Sequence, residues 1–210
     1  MKIILIPCSG SKAPGGQSNS QPSKLADTLS PTAFQKLMSA RQKIEAILHE
    51  EQNPGLGFKD HAGDRKYLPA YQRYQGIIYA RSGISRLYPA FKGRLVIVSA
   101  LYGLLDGSDL ISDYNLSMKD TLLTRTKDTL PTRMKVHTFW RRHELREILI
   151  ELIGWEGAAE VHDLLSGPYR EALRPWPDSR FKNLHPYEYP GMGQGSSYER
   201  AKDLKRLLSQ

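Results

Sequence analysis

Three short apolar runs constrain this chain more than any other feature. Residues 2–6 read Lys-Ile-Ile-Leu-Ile, residues 94–98 read Arg-Leu-Val-Ile-Val, and a weaker run at 158–163 reads Ala-Ala-Glu-Val-His-Asp. Short apolar runs of this kind predict buried strands. Stretches with helical spacing lie between them, so the order is β…α…β…α…β. That order predicts an α/β fold with a mixed or partly parallel sheet flanked by helices. The 210 residues fit a single domain, large enough to form a core without disulfides or metal.

The helical signals are specific in places. Val136, Phe139, Trp140, Leu145, Ile148, Leu149, Leu152 and Ile153 repeat along one face, which predicts one helix over 136–153 stopped by Gly154. Arg141, Arg142, His143 and Arg146 fall elsewhere on its surface. A second helix is expected over 197–208, with Ala201, Leu204 and Leu208 inward and Arg200, Lys202, Lys205 and Arg206 on the other side. Ser30 followed by Pro31 reads as a helix start, with Phe34, Leu37 and Met38 on one face. Whether the chain from there through Ile44 and Leu48 is one helix or a helix-turn-helix pair is not decided by periodicity. Residues 10–23 and 174–197 are loops by composition.

No run approaches 18 apolar residues, so no membrane segment is expected. The opening run is too short for a signal peptide. The single cysteine, Cys8, cannot form an internal disulfide and fits a reducing, cytoplasmic setting. The net charge of +8 draws a chain of this size toward polyanions, or is only a solvated basic surface.

Each strand is followed at once by small polar residues: Ser9-Gly10-Ser11-Lys12, Ser99-Ala100-Leu101-Tyr102-Gly103 and Ser166-Gly167-Pro168-Tyr169. In an open parallel sheet, ligands bind outside the carboxyl ends of the strands. Parallel strands would therefore bring Ser9, Ser11, Lys12, Ser99, Tyr102, Ser166 and Tyr169 to one side. The plainer alternative is that Ser and Gly only turn the chain. Ser9 to Lys12 offers hydroxyls, backbone N–H groups and an ammonium to a phosphate, without the spacing of a Walker motif. Cys8 reads as a small buried residue ending a strand, or as a thiolate favoured by Lys12.

The six histidines show no metal spacing, and neither a metal nor a cofactor is expected. Asp109 with Asp113, or with Asp106, would make a carboxylate pair; loop carboxylates more often cap turns. Tyr74, Tyr79, Tyr102 and Tyr114 would stack on an unpaired base, or pack with their hydroxyls satisfied.

The segment 68–79, Leu-Pro-Ala-Tyr-Gln-Arg-Tyr-Gln-Gly-Ile-Ile-Tyr, resembles a pattern of the YaaA family of peroxide-stress proteins. Ser99-Ala100-Leu101-Tyr102-Gly103-Leu104-Leu105, then Asp109-Leu110-Ile111 and Tyr114-Asn115-Leu116-Ser117-Met118, resembles that family's most specific signature. Residues 3–12, 29–44, Phe139-Trp140 and 164–169 are similar to further family segments. Asp106-Gly107 stands where the family usually has Arg-Pro, and Gly167-Pro168 where it has Asn-Glu. The chain is also shorter than typical members, as in a compact branch. The resemblance implies a cytosolic protein that limits peroxide damage, with a basic cleft and duplex-DNA binding. It also implies a helix-hairpin-helix, which would fall at about Ser30 to Leu48. Its turn, Ser39-Ala40-Arg41, lacks the glycines that let a hairpin approach phosphate closely, so the cleft carries more weight.

Two functions follow as expectations. The first is a nucleic-acid-binding stress protein, with DNA as partner and contacts mainly to phosphates. The second is an enzyme acting on a nucleotide, a nucleobase or a modified base at the same cleft. A third, plainer reading is a scaffold for a protein partner. The candidate ligand-binding residues are Ser9, Ser11, Lys12, Arg73, Tyr74, Tyr79, Ser99, Tyr102, Gly103, Tyr114, Ser166 and Tyr169. The catalytic candidates are Lys12, Ser99, Tyr102 and Asp113.

Overall fold

The computed structural model describes residues 1–49, 53–124, 132–155, 160–177 and 181–210. In chain order its first elements are β1 (Lys2–Pro7), α1 (Pro31–Leu48), β2 (Gly57–Phe58), β3 (Leu68–Pro69), α2 (Ala70–Arg73), α3 (Ile77–Ser82) and α4 (Ile84–Leu87). Then follow β4 (Arg94–Ser99), β5 (Gly103–Asp106), β6 (Leu110–Ile111), β7 (Tyr114–Asn115), β8 (Thr121–Thr124) and β9 (Thr132–Lys135). The last are α5 (Val136–Arg142), α6 (Leu145–Trp155), β10 (Glu160–Asp163), α7 (Gly167–Ala172), β11 (Leu184–Pro186) and α8 (Ser196–Leu208).

The centre is a five-stranded sheet in the order β11-β10-β1-β4-β5. β1 runs parallel to both β10 and β4, and β11 parallel to β10; β5 alone is antiparallel. Ile3 to Ile6 and Leu95 to Val98 have no exposed surface. Both faces of the middle strands are covered, which is why they read as continuous apolar runs instead of alternating ones. The third run forms β10 from Glu160 onward; Ala158 and Ala159 lie outside the described residues. The edge strands β5 and β11 are additional to the three strands expected from the apolar runs. β11 is three residues long and only partly buried, so it carries no apolar run.

Residues 31–48 form one uninterrupted 18-residue helix. Ser30 Oγ accepts from the Ala33 N–H at 3.2 Å, and Pro31 occupies the first turn. Ala33, Leu37, Ala40, Ile44 and Leu48 are buried along one stripe, and this continuous spacing leaves no room for a turn. The helix-hairpin-helix implied by resemblance is therefore absent at this position. Arg41, at its supposed turn, is helical and donates to the carbonyls of Tyr102 (2.8 Å) and Leu104 (2.6 Å).

The expected helix over 136–153 is broken in two. Its apolar positions are buried as expected, but the His143 N–H bonds back to Phe139 and Trp140, and Glu144 takes a left-handed φ of 58°. Two helices can share one stripe of apolar spacing, so periodicity does not register the break. Gly154 does not end the second piece, which runs one residue further to Trp155.

Gly103 closes the turn between β4 and β5 at φ 71°, and a Cβ there would press on the Trp140 ring. Trp140 in turn donates to the Ala100 carbonyl at 2.7 Å. The turn after β4 is thereby clamped to α5, which fixes where the chain goes next.

Candidate functional site

Because β1, β4 and β10 are parallel, the chain leaves all three at the same sheet edge, and Ser9, Ser99 and Ser166 follow them there. A cleft of about 450 Å³ opens at this edge. Its floor comes from Pro7 to Gly10 after β1, and one wall from Ser166, Pro168 and Tyr169 at the start of α7. Gly76 to Tyr79, Ser117 to Lys119, and Ser196, Ser197 and Arg200 of α8 complete it. Gly76 is required here, since a Cβ would collide with Ser9 Oγ. Its lack of a side chain lets α3 close on the first loop.

The lining has a clear chemical character. Among the described residues it contains five serines and two cations, Lys119 and Arg200, and no carboxylate. Cys8 lies at the base, its sulfur 3.2 Å from the Tyr169 hydroxyl, which also bonds the Cys8 carbonyl at 3.1 Å. Tyr79 donates to the Pro7 carbonyl at 2.8 Å. Burial raises the pKa of both tyrosines, so both stay neutral donors.

Behind the cleft lies a buried hydroxyl cluster. The Tyr74 and Tyr114 hydroxyls are 2.8 Å apart, and both reach Ser99 Oγ, at 3.2 and 3.0 Å. Ser99 Oγ also accepts from the Tyr102 N–H at 3.1 Å. Ser99 has no exposed surface and its hydroxyl is committed to these partners. Lys12 covers this cluster, with Nζ 3.9 Å from the Tyr114 ring centroid, and donates to the Gly10 carbonyl at 3.3 Å. Burial pulls the Lys12 pKa below its ordinary value, opposed by Cys8 and Asp113. Arg73 lies deeper than the half-buried Lys12, donating to the carbonyls of Ala13, Gly15, Lys66 and Ile111. It holds the first loop against the chain around α2.

Tyr102 faces elsewhere. It lines a second cavity of about 450 Å³, with Phe34, Met38, Phe58, Tyr67, Leu101 and Leu105 as apolar walls. Its hydroxyl is 3.2 Å from Ser112 Oγ. Asp113 pairs with Lys59 at 2.9 Å, and its buried Oδ1 has no hydrogen-bond partner among the described residues.

The candidates from sequence thus separate into groups. Ser9, Tyr79, Ser166 and Tyr169 line the strand-end cleft; Ser11 is exposed on the loop beside it. Lys12, Arg73, Tyr74, Ser99 and Tyr114 form the support beneath, Gly103 is a buried turn, and Tyr102 belongs to the other cavity. Tyr74, Tyr79 and Tyr114 are buried, so none of them presents a face for stacking. The suggested carboxylate pairs have structural partners. Asp109 accepts from Ser23, Lys24 and Asp106, and Asp106 pairs with Arg94 at 3.0 Å.

Three lining elements were missed from sequence: Gly76, Ser117 to Lys119, and the start of α8. Arg200, on the outward side of its helix by sequence pattern, is buried instead, with 9% exposure. No local signal marks it, since the glycines before α8 are exposed and a Cβ at Gly191 or Gly193 would meet nothing within 4 Å.

Residues 4–188 match the family model described as "Peroxide stress protein YaaA". The UPF0246 protein CE1889 of Corynebacterium efficiens is 30% identical over 144 residues, which is 62% of this chain and 56% of that protein. The chain therefore spans little more than half the length of this curated relative. Among the described residues, no helix is long and apolar enough to cross a membrane.

Proposed function

Since this chain belongs to the peroxide stress protein YaaA family, we propose that it serves peroxide defence by binding nucleic acid, DNA above all, at the strand-end cleft. The observation that carries this reading is the lining: five serines, Lys119 and Arg200, with no carboxylate among the described residues. Such a surface suits an anion, and the net charge of +8 brings polyanions toward it. Phosphates supply most of the affinity in this mode, with little sequence preference. The buried tyrosines argue against base stacking as a main contribution. A cytoplasmic setting accords with the single cysteine.

A second reading is favoured by one observation. A cleft of about 450 Å³ accommodates one nucleotide unit better than a duplex groove. An enzyme acting on a nucleotide, or on a base presented singly from DNA, would use the same walls.

The test is binding of duplex and bubble DNA, followed by fluorescence anisotropy across a salt series. Contact with about four phosphates gives a log–log slope of roughly −3.6 for duplex. Affinity that ignores salt, or no binding at low salt, removes the nucleic-acid reading. Preference for a bubble over duplex favours the second.

A further inference from the structure

Arg200 is the most unusual charged group at the cleft. Its side chain is buried, with 9% of the residue exposed, yet among the described residues no carboxylate pairs with it. The guanidinium lies 4.6 Å from the Tyr189 ring centroid and donates through Nη1 to Ser196 Oγ at 2.8 Å. Its Nε is fully buried with no hydrogen-bond partner among the described residues. The neighbouring carboxylate, Asp163, is taken by Arg170 and Trp176, each at 3.0 Å. A buried cation without a counter-ion is costly, and a cation left short of acceptors is more so. An anion reaching Arg200 would supply the missing acceptor and counter-charge.

The setting of Arg200 fits that arrival. Arg200 lines the cleft from the first turns of α8, a 13-residue helix whose positive end lies at Ser196 and Ser197. Both serines line the cleft, and Ser9 and Ser166 line it too, from the loops after β1 and β10. An arginine, a helix start and several hydroxyls are together the chemistry that recognises a tetrahedral oxyanion.

We propose that the α8 side of the cleft is a subsite for a single phosphate group, held by Arg200 with Ser196 and Ser197 and closed by the hydroxyls of Ser9 and Ser166. The inference rests on the nucleic-acid reading for its choice of phosphate among oxyanions. Tyr189 stacking and the Ser196 bond hold the guanidinium ready, so one group is captured at a defined place instead of along a broad basic face. The phosphate has two possible sources, a free nucleotide or a nucleic-acid backbone.

The experiment is a thermal melt and isothermal titration of the full chain with inorganic phosphate, with chloride matched for ionic strength. Adenosine and adenosine 5′-monophosphate are compared in the same way, and duplex DNA binding is measured in parallel. Ser197→Asp is the chief variant. A carboxylate in the first turn favours the helix dipole, so the fold is kept while the site gains a negative charge. The expected result is that phosphate and the monophosphate raise the melting temperature of the parent protein and adenosine does not. Ser197→Asp should then weaken phosphate binding by about tenfold or more. Arg200→Gln gives a second route, its fold checked by circular dichroism. No shift with phosphate in the parent protein overturns the subsite, as does an equal shift in Ser197→Asp. If phosphate binds at this subsite and duplex DNA does not bind at all, the subsite stands, its source is a free nucleotide, and the DNA reading fails. If duplex binds and phosphate does not, the DNA reading stands and the subsite is overturned.

Discussion

The Lys12 ammonium rests on the Tyr114 ring, Nζ 3.9 Å from its centroid, and the same ring's hydroxyl is tied to Tyr74 at 2.8 Å and Ser99 at 3.0 Å. One side chain thus joins the first loop to the loop after β4. Tyr114→Phe keeps the ring under Lys12 but leaves two buried hydroxyls short of a partner. The expected loss is about 2 kcal/mol, read as a lower urea midpoint. Lys12→Met removes the cation over the ring and its exposed bond to the Gly10 carbonyl, together about 1 kcal/mol. Equal stability of Tyr114→Phe and the parent would show that the hydroxyl cluster is not holding these loops.

Gly103→Ala should be among the most damaging single-methyl changes in the chain. It combines a left-handed φ of 71° with a collision against the Trp140 ring. Strain and overpacking together suggest roughly 3 kcal/mol. A calorimetric melt within a degree of the parent would mean that the turn relaxes freely.

His162 gives a pH signature. Burial lowers its pKa from the ordinary 6.5, partly offset by Glu160, with Lys2 and His185 adding to the lowering. Between the lowered folded value and 6.5 the unfolded chain binds more protons than the folded one. The contribution of His162 is therefore fully present above 6.5 and is lost as pH falls through the folded value. His162→Gln should flatten the decline in melting temperature below pH 6.5. His137, lowered by burial as well, leaves some residual slope. An unchanged profile in the variant assigns the acid sensitivity elsewhere.

Two charge reversals separate cleft contacts from general attraction. Lys119 lines the cleft, whereas Arg141 and Arg142 are exposed on α5 and do not. Lys119→Glu should reduce the salt slope of DNA binding by about 0.9, the loss of one phosphate contact. Arg141→Glu with Arg142→Glu should leave that slope unchanged. The opposite ranking would move the interface to α5.

Much of this architecture was legible in local sequence because local physics specifies it. Ile3 to Ile6 and Leu95 to Val98 had to be buried strands, since only a covered strand tolerates apolar residues on both faces. Ser30 and Pro31 marked a helix start because the cap bond needs only the next few residues. The three polar loops after β1, β4 and β10 fall on one side because parallel strands all end at the same sheet edge.

Other features depend on partners far apart in the chain. The break at Glu144 preserves the apolar stripe on either side, so only packing reveals it. The hydroxyls of Tyr74, Ser99 and Tyr114 could have served a ligand or one another, and their 2.8–3.2 Å contacts turn them inward. Tyr102, one turn beyond Ser99, faces a different cavity because Gly103 and Trp140 set the direction of the loop. Arg200 sits among charged neighbours on an amphipathic helix, and nothing local distinguishes it from Lys202 or Arg206. Only tertiary packing buries it, with the guanidinium against the Tyr189 ring, because burial is decided by which surfaces meet. The sequence alone thus determined the strands, the caps and the polar loops, through interactions within a few residues. The tertiary structure decided which polar groups support the fold and which are left to meet a ligand.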